Sequence, residues 1–392
     1  MRIVHIYKDY FPVLGGIENH VKLLAEAQAK RGHDVTVLVT QLQNQKSKIE
    51  NLNGVRVMKL RRQLNVQSAP ISAQFATQVR NVTLGADIAH LHAPYPIGEA
   101  CNLWFGRAKK TVITWHSDIV RQKTLLRMYA PMLRRVVAQA DRIICTSEPY
   151  MRTSPWLTTT QAKCVVVPYG IDLTRFEILT AEQQAKSIAF RTGMKAKANG
   201  GLVLLCVGQL RHYKSFDTLI RSLPQLPNVA VAIAGTGVYE VPWKALATDL
   251  GVSERVVFLG QTGQTELPVL YHGSDAFVLP SNSRAEAFGI VNIEAMACSL
   301  PLVTTDVSSG TSWVNQDNIT GFVVPPMNLI ALSAAIDKLR DPNTRKRMGE
   351  AGHARAQAEF TQELMIERVE RVYDDFLNKP RTGEKTEGQQ DR

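Results

Sequence analysis

The 392-residue sequence has no stretch of 18 apolar residues and so offers no candidate for a membrane-spanning helix. Its opening, MRIVHIYKDYF, carries an apolar run far too short for a secretory signal. A cytoplasmic location is expected. Cysteines are few: five, at Cys101, Cys145, Cys164, Cys206 and Cys298, with no C-x-x-C spacing. An odd, dispersed set points to reduced core thiols and away from a disulfide framework or a zinc site, so no metal is expected. Aromatic residues make up only 7% and are nowhere interleaved with basic ones, which argues against a groove for nucleic acid. Also missing is a G-x-G-x-x-G turn with an acidic residue about 20 positions on, the signature an NAD-dependent oxidoreductase would need.

What is present is ordinary globular chemistry, 45% apolar and 21% charged, at a length that suits two domains. The formal net charge is +11, and it is unevenly placed. Residues 1–185 hold 24 Lys+Arg against 13 Asp+Glu, while residues 186–392 hold 22 of each, so the first half carries the whole excess. A basic half suits an anionic partner such as a phospholipid surface or a phosphorylated acceptor; a merely solvated basic surface is the plain alternative.

Short β-branched runs at 2–7, 34–40, 87–92, 111–115, 142–146 and 164–167 alternate with longer amphipathic stretches. That alternation predicts βαβ units around a parallel sheet covered on both faces. It restarts after residue 200 with GLVLLCVG and continues at 229–235, 255–260, 276–280 and 300–305, which predicts a second doubly wound sheet. The expected division is 1–180 for a first Rossmann-like domain and 181–360 for a second, with a polar linker around 170–200. Residues 361–378 are expected to form a terminal helix returning to the N-terminal domain, and 379–392 a disordered tail.

Ligands of open α/β sheets bind beyond the carboxyl ends of the strands, so the loops there hold the candidate chemistry. Gly15 and Gly16 precede a helix, where bare backbone N–H groups can approach an anion. His116 and Asp118 follow a buried strand, and a histidine there can bond a substrate hydroxyl or move a proton. Arg211 and Lys214 open a helix in VGQLRHYKSFDTLI, a pair of cations suited to a departing diphosphate. The most specific string is SNSRAEAFGIVNIEAMACSLPLV. It places Glu286 in a loop and Glu294 about one turn inside the following helix, where each carboxylate can accept bonds from hydroxyls.

Taken in order, LGGIENHV, DIAHLHAPYP, TWHSDIVRQK, VPYGIDLTRF, GQLRHYK, EAFGIVNIEAMA and GTSWVNQDNITGFVVPP resemble the retaining glycosyltransferases of family four, from the first strand to about residue 377. The resemblance implies the α/β GT-B fold, with two Rossmann-like parallel-sheet domains facing a central cleft, 1–180 binding the acceptor and 181–360 the nucleotide sugar. It implies transfer of a sugar from a nucleotide diphosphate sugar to a glycan or lipid-linked acceptor in surface polysaccharide synthesis. A GDP-mannose-like donor is favoured, with UDP sugars as the alternative. By resemblance Glu286 and His116 contact the transferred sugar as the catalytic pair, and Glu294 contacts the ribose. Gly15, Gly16, Gln209, Arg211, Lys214, Phe288, Gly289 and Ile290 complete the donor site. The co-substrate stands in for any cofactor, and such enzymes are metal-independent. Relatives commonly have arginine where this sequence has Gln209, so either Arg211 supplies that charge or diphosphate affinity is reduced. A non-catalytic sugar-binding protein is the second reading.

The segment after His116, DIVRQKTLLRMYAPMLRRVVAQADR, combines helically spaced apolar residues with Arg121, Lys123, Arg127, Arg134 and Arg135. It predicts a helix that meets the acceptor or lies on an anionic membrane, against the plainer reading of a sheet-covering helix with a basic edge. Pro131 is expected to interrupt or kink it.

Overall fold

The computed structural model describes residues 1–13, 15–42, 45–66, 69–119 and 123–377; the tail expected at 379–392 lies outside them. The first sheet draws on β1 (Arg2–Ile6), β2 (Asp34–Thr40), β3 (Lys48–Leu52) and β4 (Val55–Leu60). A separate short pair follows, β5 (Leu64–Val66) with β6 (Ala69–Ile71). The sheet then takes in β7 (Ile88–Ala93), β8 (Lys110–Trp115), β9 (Arg142–Cys145) and β10 (Cys164–Val166). Its order is β10-β9-β8-β7-β1-β2-β4-β3. The strand β1 pairs in parallel with both β2 and β7, so the glycine loop after it leaves the sheet where strand order reverses.

The second sheet is β11 (Leu202–Val207), β12 (Val229–Ala234), β13 (Val256–Gly260), β14 (Ala276–Leu279), β15 (Leu302–Thr305) and β16 (Gly321–Val324). It runs in the order β13-β12-β11-β14-β15-β16, with its paired strands parallel. Here β11 is the switch strand, between β12 and β14, and the GQLRHYK loop follows it. Both sheets read as continuous apolar runs because helices cover both faces: β11 and β12 are buried at every position.

The strand runs read from the sequence agree with the structure to within two residues, but β3, β4, β5, β6 and β16 were not among them. The β3–β4 hairpin turns on Asn53-Gly54, both at positive φ (51° and 84°), the conformation such a two-residue turn demands.

The linker expected at 170–200 is overturned. Residues Ala181–Lys197 form a helix, opened by a reciprocal Thr180/Gln183 capping box. Its polar surface hid its role, because ion pairs as well as the buried Met194 anchor it. Arg191 (2.5 Å) and Lys195 (2.7 Å) both bind the buried Asp275, which also accepts the Val203 N–H at 2.9 Å. These bonds hold the Asp275 carboxyl below the usual range against the cost of its burial.

The chain folds as two compact units, one of Met1–Thr114, Pro131–Ile144 and the segment from Ile366, the other of Trp115–Ala130 and Cys145–Met365. In the first, the helix Gln362–Leu377 places Tyr373 against the sheet. Its hydroxyl bonds His90 Nδ1 at 2.6 Å and accepts from Gln28 at 3.4 Å, and Glu370 pairs with Arg31 at 2.5 Å. The helix Lys123–Gln139 continues through Pro131, so the expected interruption is absent. No described helix is long and apolar enough to cross a membrane.

Candidate active site

In the second unit, the loops after β11, β12, β14 and β15 converge. Close backbone approach makes this feasible. A Cβ on Gly235 would lie 2.0 Å from the Gly208 carbonyl oxygen, and both residues have positive φ. From the β11 loop, Lys214 reaches Glu286 of the β14 loop, Nζ to Oε2 at 2.5 Å, with both side chains about nine-tenths buried. Burial works against the charge on Lys214, yet Glu286 and Tyr213, with Cys206, together outweigh it and raise the lysine above its ordinary range. Ser281 Oγ donates to Glu286 Oε2 at 3.3 Å, and Ser309 Oγ to the Glu286 carbonyl at 2.7 Å. The two groups assigned by resemblance to sugar and diphosphate therefore contact one another directly.

Gly289 caps the helix Ile290–Ala297 in the left-handed region (φ 76°), where an added Cβ would press on Asn292 and Leu279. The first N–H groups of this helix have no side-chain cap and are available to an anion. One turn in, Glu294 Oε2 accepts from the Tyr271 hydroxyl at 2.7 Å. Burial raises the Glu294 pKa, and the hydrogen bond only partly offsets it.

Phe288 was expected at the donor, but its side chain is 2% exposed and packs among Tyr169, Trp313 and Phe360. Only its backbone can serve a ligand. Gln209 and Arg211 are exposed, with no side-chain hydrogen bond or ion pair among the described residues. His116 is buried and its Nδ1 bonds the Tyr169 hydroxyl, the two rings stacked at 5.8 Å.

In the first unit, Gly15 is the N-cap of the helix Gly16–Lys30, and the Glu18 carboxylate folds back so tightly that a Cβ on Gly15 would meet it. The chain's own carboxylate thus occupies part of that anion-favouring end, and Gly16 is left with open space beside it. Arg127, Arg134 and Arg135 are exposed on their helix. Arg121 and the Lys123 side chain lie outside the described residues.

Sequence reasoning missed three partners: Tyr169, Tyr271 and Ser309. The first sits in VPYG and the last just before TSWV, both strings noted for resemblance alone. Tyr271 carries no motif; only its burial beside Glu294 reveals it. Also unforeseen is a buried trio in the first unit, His5, His90 and His92, whose ring nitrogens lie within 4.8 Å of one another. Gln28 (2.8 Å) bonds His5, while Thr114 and Tyr373 (each 2.6 Å) bond His90, so an ion there would have to displace protein partners.

Residues 14–175 match the family model described as Glycosyltransferase Family 4, and residues 193–355 the model described as Glycosyl transferases group 1. The chain is 30% identical to the O-antigen chain mannosyltransferase C of Escherichia coli, over 96% of this chain and 99% of that protein. The chain belongs to glycosyltransferase family 4. This glycosyltransferase is also 32% identical to D-rhamnosyltransferase WbpZ of Pseudomonas aeruginosa, over 92% of each chain. Its fold matches the sucrose-phosphate synthase structure from Thermosynechococcus elongatus with a TM-score of 0.77 at 22% identity, covering 96% of this chain and 99% of that one. The architecture is GT-B, and the enzyme transfers a sugar from a nucleotide-sugar donor to a glycan acceptor.

Proposed function

We propose that this glycosyltransferase extends a cell-surface polysaccharide with a mannose-type sugar drawn from a GDP-linked donor, retaining anomeric configuration and using no metal. The observation that carries the site assignment is the buried Lys214–Glu286 pair at the carboxyl end of the switch strand β11. The relatives named as a mannosyltransferase and a D-rhamnosyltransferase support a mannose-type donor and a surface-glycan acceptor.

In this reading the diphosphate lies over the start of the helix Ile290–Ala297, with Lys214 and Arg211 meeting the negative charge that grows as the anomeric carbon–oxygen bond breaks. Glu286 bonds the transferred sugar, Glu294 the ribose, and His116, oriented by Tyr169, a sugar hydroxyl. The acceptor oxygen bonds the anomeric carbon on the same face that the diphosphate leaves, and its proton passes to a departing phosphate oxygen. Exposed Arg127, Arg134 and Arg135 bring the enzyme peripherally to an anionic membrane or a lipid-linked acceptor.

The test is a thermal-shift panel of GDP, UDP, dTDP and ADP, followed by transfer assays with the matching sugars. GDP should stabilise most, by about 2.7 kcal/mol at 100 times its dissociation constant. Glu286→Gln should abolish transfer while leaving nucleotide affinity intact. A UDP preference would overturn the donor, and equal loss of nucleotide affinity in Glu286→Gln and Glu294→Ala would overturn the division of roles.

A further inference from the structure

The second unit contains a pocket of about 750 Å³, well within the size of small-molecule sites, about 300–1,000 Å³. Two of its walls are the loops that fix Glu286. Asn282, Ser283 and Arg284 come from the loop after β14, and Asp306, Val307 and Ser308 from the loop after β15. The Glu286 N–H donates to the Ser283 carbonyl at 3.1 Å, and the neighbouring Ser309 holds the Glu286 carbonyl. A molecule in this pocket therefore adjoins the Glu286 segment. The lining also includes the half-buried Trp156 and the apolar residues Ile119, Leu126, Pro155 and Pro326.

The charges of the lining decide what it can hold. Arg284 is the only cation among its described residues, and it is already engaged. Its guanidinium pairs with Asp118 at 3.1 Å, donates to the Thr153 carbonyl at 2.9 Å and lies over the Tyr150 ring at 4.8 Å. Asp118 is fixed in turn by Trp115 Nε1 at 3.0 Å and Ser154 Oγ at 2.7 Å. With that pair neutralised, the remaining charge is the exposed carboxylate of Asp306. Among the described lining residues, a phosphate would meet the Asp306 carboxylate and no unpaired cation. An uncharged sugar would meet an indole face for its C–H surface and amide, hydroxyl and carboxylate groups for its hydroxyls.

We propose that this pocket is the acceptor subsite, that Trp156 is its stacking platform, and that it selects an uncharged sugar over a phosphorylated one. The proposal rests on the reading that Glu286 stands at the reacting centre. The test is saturation-transfer NMR on the full chain with the methyl glycosides of mannose, rhamnose, glucose, galactose and N-acetylglucosamine, and with mannose 6-phosphate. At least one neutral glycoside should bind, Trp156→Ala should weaken it about tenfold or more, and Trp156→Phe should restore most of the loss. Mannose 6-phosphate should bind more weakly than methyl mannoside, and Asp306→Asn should narrow that gap. Nucleotide diphosphate affinity should be the same in Trp156→Ala and the parent. Failure of every neutral glycoside to bind, indifference to Trp156→Ala, or a preference for the phosphosugar would each overturn the proposal. If Glu286→Gln keeps full transfer while Trp156→Ala loses glycoside binding, the catalytic reading fails and takes the acceptor assignment with it, leaving only a neutral-sugar pocket.

Discussion

Lys214 faces two demands, neutralising Glu286 at 2.5 Å and, in the proposed reaction, meeting a diphosphate. Removing it should lower turnover about 10²-fold to 10³-fold, as loss of a donor aimed at developing charge does. It also leaves a buried carboxylate without its partner, a change that costs about 3–5 kcal/mol. Urea unfolding alongside kinetics separates the two effects; a fall in turnover of less than tenfold in folded Lys214→Ala would move the clamp elsewhere. Glu294 makes a different prediction. Burial raises its pKa, so its carboxyl favours folding in the protonated form, and that advantage is lost as pH rises from its ordinary value of 4.5 through the folded value. Glu294→Gln keeps an acceptor for Tyr271 without the charge. It should therefore raise the Tm at pH 7 more than at pH 4, while weakening nucleotide binding; an equal shift at both pH values would contradict this. Both glutamates and Lys214 were legible because they stand in recognisable strings. Their partners were not. Lys214 and Glu286 are far apart in sequence, and a tyrosine such as Tyr271 gives no local sign of the carboxylate it will serve.

Among the elements, the pairing of β1 with β7 sets His5 directly beside His90, and His92 follows two residues later on the same face. Burial lowers the His5 pKa to about 4, with its bond to Gln28 a smaller opposing effect. A histidine held neutral in this way favours folding above its ordinary value of 6.5, and that contribution is lost as pH falls from 6.5 towards 4. The full loss is on the order of 3 kcal/mol. The first unit should therefore weaken across that window, measured as Tm against pH, and His5→Gln should flatten the curve; an unchanged slope would count against the assignment. Tyr373→Phe removes the hydroxyl that bonds His90 and Gln28, and should cost about 1–3 kcal/mol by leaving buried groups unsatisfied. The strands were legible where they are continuous and β-branched. The β3–β4 hairpin was missed because KIENL is polar and largely exposed, although its Asn-Gly turn was a readable signal. The helix Ala181–Lys197 reads as a linker because only Ile188, Phe190 and Met194 are large and apolar, and nothing local announces that Asp275 will hold it.

At the scale of the whole molecule, the presence of two parallel sheets was legible although five strands were not, since each sheet repeats the same alternation of apolar strand and amphipathic helix. The net charge of +11 lies entirely within residues 1–185. We expect salt-sensitive binding to anionic vesicles, because the range of surface attraction shrinks from about 30 Å at 0.01 M to about 3 Å at 1 M ionic strength. Co-sedimentation at low and high salt decides it. Protein left in the supernatant with acidic lipid at low salt would make a soluble acceptor the better reading.

The docking of Tyr373 on His90 also bears on how the chain is made. The first unit opens at Met1 yet is completed by the segment from Ile366, with the whole of the second unit encoded in between. At about 5–20 residues per second, its early strands wait on the order of tens of seconds on the ribosome for the helix that covers them. During that time the His90 and Gln28 side chains that Tyr373 will meet are without it. A gene fragment cut after the first sheet should therefore yield an aggregation-prone product, and co-expressing the Gln362–Leu377 segment as a peptide should improve its solubility.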